Sequence, residues 1–190
     1  MAKPVAPVFL PVKPTRFLRG TTTVLRPVEA DDLPFLHSLR NEVRTQMMLM
    51  AQPRPNPAHR VKGWLHRFAE NPDAILLLIA TARSGRPVGF VQLAALDTLH
   101  GTADLGICLT ASARGKGHAA EALLLIAEYA VAVFNLRKIL LRVLAENTRA
   151  IDLYRQAGYR EIGVLQRHFY QDRAYKDVVL MEKFLDPATP

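Results

Sequence analysis

The sequence predicts a single mixed α/β (α+β) domain with a mostly antiparallel sheet flanked by helices. Three observations carry this. A length of 190 residues suits one domain with a core large enough to need no covalent or metal staple. Strand signals follow one another directly between residues 74 and 109, separated only by turn residues. The elements also run in the order β-α-α-β-β-β-α-β-α-β-β, which is not the repeating βαβ series of a doubly wound parallel sheet.

Residues 1–20 contain Pro4, Pro7, Pro11 and Pro14 without periodicity, so a surface arm is expected ahead of a domain at residues 21–185. Residues 22–27 are short and β-branched, a first strand. A helix is expected from Asp31, because Asp32 and Pro34 suit a first turn and Leu33, Leu36 and Leu39 recur at helical spacing. Pro53, Pro55 and Pro57 make residues 51–58 a loop, and Val61, Trp64, Leu65 and Phe68 mark one face of a helix over 59–69. Residues 74–81 are nearly all apolar, as in a strand covered on both faces. Ser84-Gly85-Arg86-Pro87 is turn chemistry, so residues 88–95 return as a hairpin, and a second turn at 97–101 leads into Thr102–Leu109. Residues 119–134 have the spacing of an amphipathic helix, and residues 138–143 alternate like a strand. Asn147 suits the N-cap of a helix running to Gln156, with Gly158 as its C-terminal cap. Residues 160–164 and 175–184 close the sheet, and residues 186–190 are expected to fray.

Hydrophobic residues make up 49% of the chain and charged residues 22%, a globular balance. Cys108 is the single cysteine, so an internal disulfide and a four-cysteine zinc site are excluded, and no metal is expected. No apolar run approaches the ~20 residues that span a bilayer, and prolines interrupt any leader-like core, so a cytoplasmic protein away from membranes is expected. Lys and Arg outnumber Asp and Glu by 25 to 17, and a net charge of +8 favours anionic partners. The basic residues are scattered singly without interleaved aromatics, so nucleic acid is not the expected one.

The segment with chemistry in it is Arg114-Gly115-Lys116-Gly117-His118-Ala119, between a strand and a helix. Unpaired N–H groups of a first helical turn, with about half a positive charge from the helix dipole, trap anions. Gly115 and Gly117 would let a phosphate approach the backbone, while Arg114 and Lys116 add charge. It is neither a Walker loop, which ends Gly-Lys-Ser/Thr, nor a GxGxxG fingerprint. Two glycines in a tight strand-to-helix turn would read the same way without any ligand.

A second segment narrows the choice. The first matches the [Gln/Arg]-x-x-Gly-x-[Gly/Ala] signature of the GNAT superfamily of N-acetyltransferases. Further on, the run from Glu146-Asn147 through Ala150-Ile151 and Tyr154 to Gly158-Tyr159 resembles that superfamily's second signature. The resemblance runs from about residue 22 to residue 184. It implies a twisted sheet that splays between Thr102–Leu109 and residues 138–143, with acetyl-CoA as co-substrate in the gap. It also implies that the backbone of Ile107, Cys108 and Leu109 pairs with the pantetheine arm, an N–H there polarising the thioester carbonyl. Arg114, Gly115, Lys116, Gly117, His118, Ala119 and Ala120 would hold the pyrophosphate, and Asn147 would meet the cofactor arm. Tyr154 would protonate the leaving thiolate, a phenol of pKa about 10 being matched to that task; a core tyrosine beside Ile151 and Leu153 is the other reading. Some members carry a glutamate where this chain has Arg142, so Asp104 is the best substitute for the base, acting through water; a surface ion pair would explain Asp104 equally well. Cys108 is expected to pack rather than to act as a nucleophile.

The acceptor is expected to be the primary amine of a small molecule. Leu39-Arg40-Asn41 and the segment from His59 to Trp64 look like GNAT enzymes that acetylate nucleotide-linked amino sugars, at a somewhat longer spacing. Residues 163–181 resemble the branch that acetylates ribosomal-protein N-termini and polyamines, although a basic chain repels a polycation at long range. A protein N-terminus and a non-catalytic acyl-CoA sensor are the alternatives, and a homodimer stays open.

Overall fold

The computed structural model describes residues 18–185, so most of the expected arm and all of the expected tail lie outside the described residues. Seven strands form one sheet: β1 (Thr23–Arg26), β2 (Ile75–Thr81), β3 (Pro87–Asp97), β4 (Thr102–Leu109), β5 (Lys138–Leu144), β6 (Arg160–Gln171) and β7 (Ala174–Phe184). Their spatial order is β1-β2-β3-β4-β5-β7-β6. Every neighbouring pair is antiparallel except β4 with β5. That parallel pair requires a crossover, which helix α4 (His118–Phe134) supplies.

The five helices divide between the faces. Alternation along β2 sends Leu77 and Ile79 to one side, where Leu123, Ile126 and Ala130 of α4 pack, with Ile151 and Tyr154 of α5 (Thr148–Gln156). Leu78 goes to the other side, against Leu36 and Leu39 of α1 (Leu33–Asn41) and Val61 and Trp64 of α3 (Ala58–Glu70). This double coverage is why β2 reads as a continuous apolar run. Cross-strand neighbours Phe90 and Cys108 belong to the same face as Trp64, whose ring meets Phe90 edge-on at 5.4 Å.

Local chemistry moves three expected boundaries. Asp32 does not enter α1; its carboxylate accepts two bonds from Arg26, at 2.6 and 2.8 Å, and one from the Glu29 N–H, at 2.9 Å. These hold a short 3-10 turn at Ala30–Asp32, and α1 begins only at Leu33. A short helix α2 (Val43–Met48), absent from the sequence reading, follows α1 where Glu42 takes an extended backbone. The closing hairpin is longer than expected, because Asp172 and Arg173 turn it with φ of 50° and 61°. A two-residue turn of this kind is usually announced by glycine, and none stands here.

Candidate active site

Sheet and helix leave a gap at one place. β4 and β5 pair only at Thr102↔Lys138, Ala103↔Ile139 and Asp104↔Leu140, whereas β4 stays paired to β3 as far as Leu109. From Leu105 onward the edge of β4 that faces β5 is therefore free of strand partners. Ile107, Cys108 and Leu109 lie on this stretch.

At the end of β4 the chain turns into α4. Gly117 takes φ +82°, a left-handed conformation, and nothing lies within 4 Å of the position a Cβ would occupy. No side chain caps the helix, so the N–H groups of Gly117, His118, Ala119 and Ala120 have no intrahelical acceptor. The His118 ring is turned away to Thr23, its Nδ1 3.0 Å from Oγ1, which leaves its backbone at the loop. Glu121, one residue beyond Ala120, accepts the backbone N–H groups of Thr21 and Thr22 at 2.6 and 2.9 Å, tying the start of the domain to this helix. An uncapped helix end with open space above a glycine suits the diphosphate of acetyl-CoA, and the free edge of β4 suits its amide-bearing arm.

The charges around the loop differ from those read in the sequence. Arg114 points back, donating from Nε and Nη2 to the Leu109 carbonyl at 3.3 and 3.1 Å, and its Nη2 reaches Thr45 Oγ1 at 3.5 Å. It braces the end of β4 instead of offering its charge to the loop, and it occupies the Leu109 carbonyl. Arg149 takes the vacated role: its Nη2 stands 3.0 Å from the Cβ position of Gly115. The sequence signal for Arg149 was its place two residues after Asn147, which starts α5 beside the loop. Asn147 itself is the helix cap, its side-chain oxygen accepting from the Ala150 N–H at 3.4 Å.

Tyr154 projects from α5 into the core, 7% exposed, its ring edge-on to Tyr159 at 5.7 Å. Burial, with a smaller contribution from Cys108, pushes its phenol up to about 12. The Cys108 thiol is likewise pushed up to about 12, chiefly by burial, so it carries its proton at neutral pH and is no nucleophile. Asp104 shares the Cys108 face of β4 but lies four residues earlier, roughly 13 Å along a strand. It is half-buried and makes no ion pair among the described residues. Glu42 is the carboxylate whose charge reaches the Cys108 thiol; Thr45 Oγ1 donates to it at 2.8 Å. Nothing in the local sequence marks Glu42, which is delivered by the bend between α1 and α2. Among the described residues no cluster of side chains could hold a metal ion. No described helix is long and apolar enough to cross a membrane.

Known proteins share this arrangement. Residues 23–160 match the acetyltransferase (GNAT) domain family. A spermidine N(1)-acetyltransferase of Vibrio cholerae is 26% identical over 166 residues, covering 85% of this chain and 95% of that protein. The Escherichia coli spermidine N(1)-acetyltransferase is 27% identical over 157 residues, covering 83% of each. The crystal structure of the Vibrio cholerae spermidine N-acetyltransferase with CoA and spermine superposes with a TM-score of 0.81 at 26% identity, covering 86% of this chain and 96% of that one. These relatives correct the expected kinship with the ribosomal-protein and amino-sugar branches. The segments that suggested amino sugars have structural duties: Asn41 and Asn56 exchange bonds of 2.8 and 2.9 Å that pin the 51–57 loop, and Arg40 stacks on Trp64 at 4.1 Å. The free edge of β4, the uncapped start of α4 and the family match over most of the fold lead to one conclusion: the chain belongs to the GNAT family and is an acetyl-CoA-dependent N-acetyltransferase.

Proposed function

We propose that the protein acetylates the primary amine of a small molecule. The observation that carries this is the cleft of about 310 Å³ lined by α1, α2, the loop that follows, α3 and Phe90 of β3, the cross-strand neighbour of Cys108; it has the size of a small-ligand site. The names of the relatives make spermidine the first acceptor to test.

Acetyl-CoA supplies the acetyl group as a thioester, and the residues assigned to hold it are the free edge at Ile107, Cys108 and Leu109 and the loop from Gly115 to Ala120, with Lys116 and Arg149 as cations. Arg114 and Asn147 support that site from behind, through the Leu109 carbonyl and the start of α5. A backbone N–H of β4 donates to the carbonyl oxygen as charge builds there. Tyr154 serves as hydrogen-bond donor to the departing sulfur. Its phenol, at about 12, is a weaker acid than a free thiol of about 8.5, so outright proton transfer is uphill by about 5 kcal/mol. Donation without full transfer still stabilises the thiolate. For the proton of the attacking amine two carboxylates compete: Glu42, whose charge reaches the Cys108 thiol, and Asp104 further along β4 through water.

The test is thiol release from acetyl-CoA with a panel of amines, spermidine included. Amine-dependent release is expected. Tight CoA binding with no release from any amine would instead favour an acyl-CoA sensor, and release only with peptides a protein N-terminal acetyltransferase.

A further inference from the structure

We infer that the acceptor cleft selects an amine that also carries an anionic group, a carboxylate or a phosphate. This rests on the acetyltransferase reading above and names its substrate class. Arg40, Arg54, Arg60 and Arg67 all line the cleft, and no Asp or Glu lines it. Among the described residues none of the four is ion-paired. They come from α1, the 51–57 loop and α3, so the fold gathers charges that are scattered in the sequence.

Arg40 is the most constrained of them. Its guanidinium carbon lies over the Trp64 ring, 4.1 Å from the centroid. Its Nε is buried without a hydrogen-bond partner. Burial, and to a smaller extent the Arg67 charge, pull its pKa below the ordinary arginine value, the cost of holding a guanidinium there without an anion. An anionic oxygen there would satisfy the orphaned N–H and neutralise the crowded charge. Glu42, whose carboxylate accepts from the lining residue Thr45 at 2.8 Å, is not itself part of the cleft wall. The cleft is thus cationic along its wall, with no carboxylate among its lining residues. A polyamine would set its ammonium groups against four guanidinium groups. An amine that carries a carboxylate or phosphate sets its negative charge against that wall.

The test compares glutamate, methionine, phosphoethanolamine, tyramine and spermidine as acceptors, by thiol release from acetyl-CoA and by calorimetric binding in the presence of CoA. At least one anionic amine is expected to exceed spermidine tenfold or more in kcat/KM and to bind more tightly. The amino acids and phosphoethanolamine separate carboxylate from phosphate recognition. Arg54 and Arg60 are exposed, so Arg54→Glu and Arg60→Glu should fold. Each is expected to raise KM for the anionic acceptor about tenfold, leave KM for acetyl-CoA unchanged and improve spermidine. Spermidine outperforming every anionic amine, or charge reversal leaving acceptor KM untouched, overturns the inference while the acetyltransferase reading stands. If no amine is acetylated, that reading fails separately, and calorimetry still decides: spermidine binding at least as tightly as every anionic probe overturns the cleft's assignment.

Discussion

Tyr154 and Tyr159 are edge-on neighbours with opposite prospects on substitution. The Tyr154 hydroxyl is assigned to the leaving thiolate, so Tyr154→Phe is expected to lower kcat by about 10- to 100-fold while leaving the acetyl-CoA dissociation constant near its original value; steady-state kinetics beside equilibrium binding will show the split. The Tyr159 hydroxyl is buried with no hydrogen-bond partner among the described residues, an unmet polar group that costs stability. Tyr159→Phe should therefore raise the unfolding free energy, by up to about 1 kcal/mol in a denaturant titration. A loss instead would reveal an acceptor or bridging water at that hydroxyl. Cys108→Ala tests the chemistry of the thiol directly. A group pushed up to about 12 takes no covalent part, so kcat should survive to within about threefold although packing against Phe90 is lost. Ping-pong kinetics in the original protein and an inactive Cys108→Ala would contradict this.

At the scale of elements, the two helix starts assigned to the donor site are capped differently. α5 starts on a side-chain cap, and Asn147→Ala should cost about 1 kcal/mol of stability. α4 starts without one, and its backbone is left for the ligand. Gly117 makes that possible through its left-handed φ, which strains any residue with a Cβ by about 1–2 kcal/mol. Gly117→Ala is thus expected to weaken acetyl-CoA binding several-fold in a titration, more than it changes the acceptor KM. The helix and loop signals were legible because they are local: a cap residue, a glycine pair, apolar spacing. The end of α1 and the whole of α2 were not, since Glu42 breaks the helix by an extended backbone and no proline or glycine announces it. The long hairpin was missed for a related reason, its turn being made by Asp172 and Arg173.

Across the whole molecule, buried charges tie distant segments together. Glu182 on β7 accepts from Lys138 of β5 at 3.1 Å and from Arg160 of β6 at 2.8 Å, joining strands on both of its sides. Near the first strand, Arg26 holds the Asp32 carboxyl below the usual carboxylate range against the cost of its burial. A carboxyl with a depressed folded pKa stabilises fully above its unfolded value, about 4, and loses that contribution as pH falls through the folded value. Asp32→Asn should cost about 2 kcal/mol at neutral pH, and the penalty should vanish in acid. Thermal unfolding of both proteins between pH 7 and pH 2 would show the curves converging; a constant gap would mean that the pair contributes through packing alone.

What could be read without the fold was the donor half of the protein. The segments assigned to acetyl-CoA are one strand edge, one glycine loop and one helix cap, each written in contiguous residues whose spacing survives inspection of the chain. The acceptor half is assembled from pieces far apart in sequence. Arg40 reads as part of an amino-sugar motif until it is seen stacked on Trp64, and Arg54, Arg60 and Arg67 read as scattered surface charge until they are seen on one cleft. Arg114 reads as a phosphate ligand, yet its side chain turns to Leu109, and Arg149 stands at the loop in its place. Charge acts through space, over distances that packing alone sets, so the side-chain electrostatics of this site became legible only once the helices lay on the sheet.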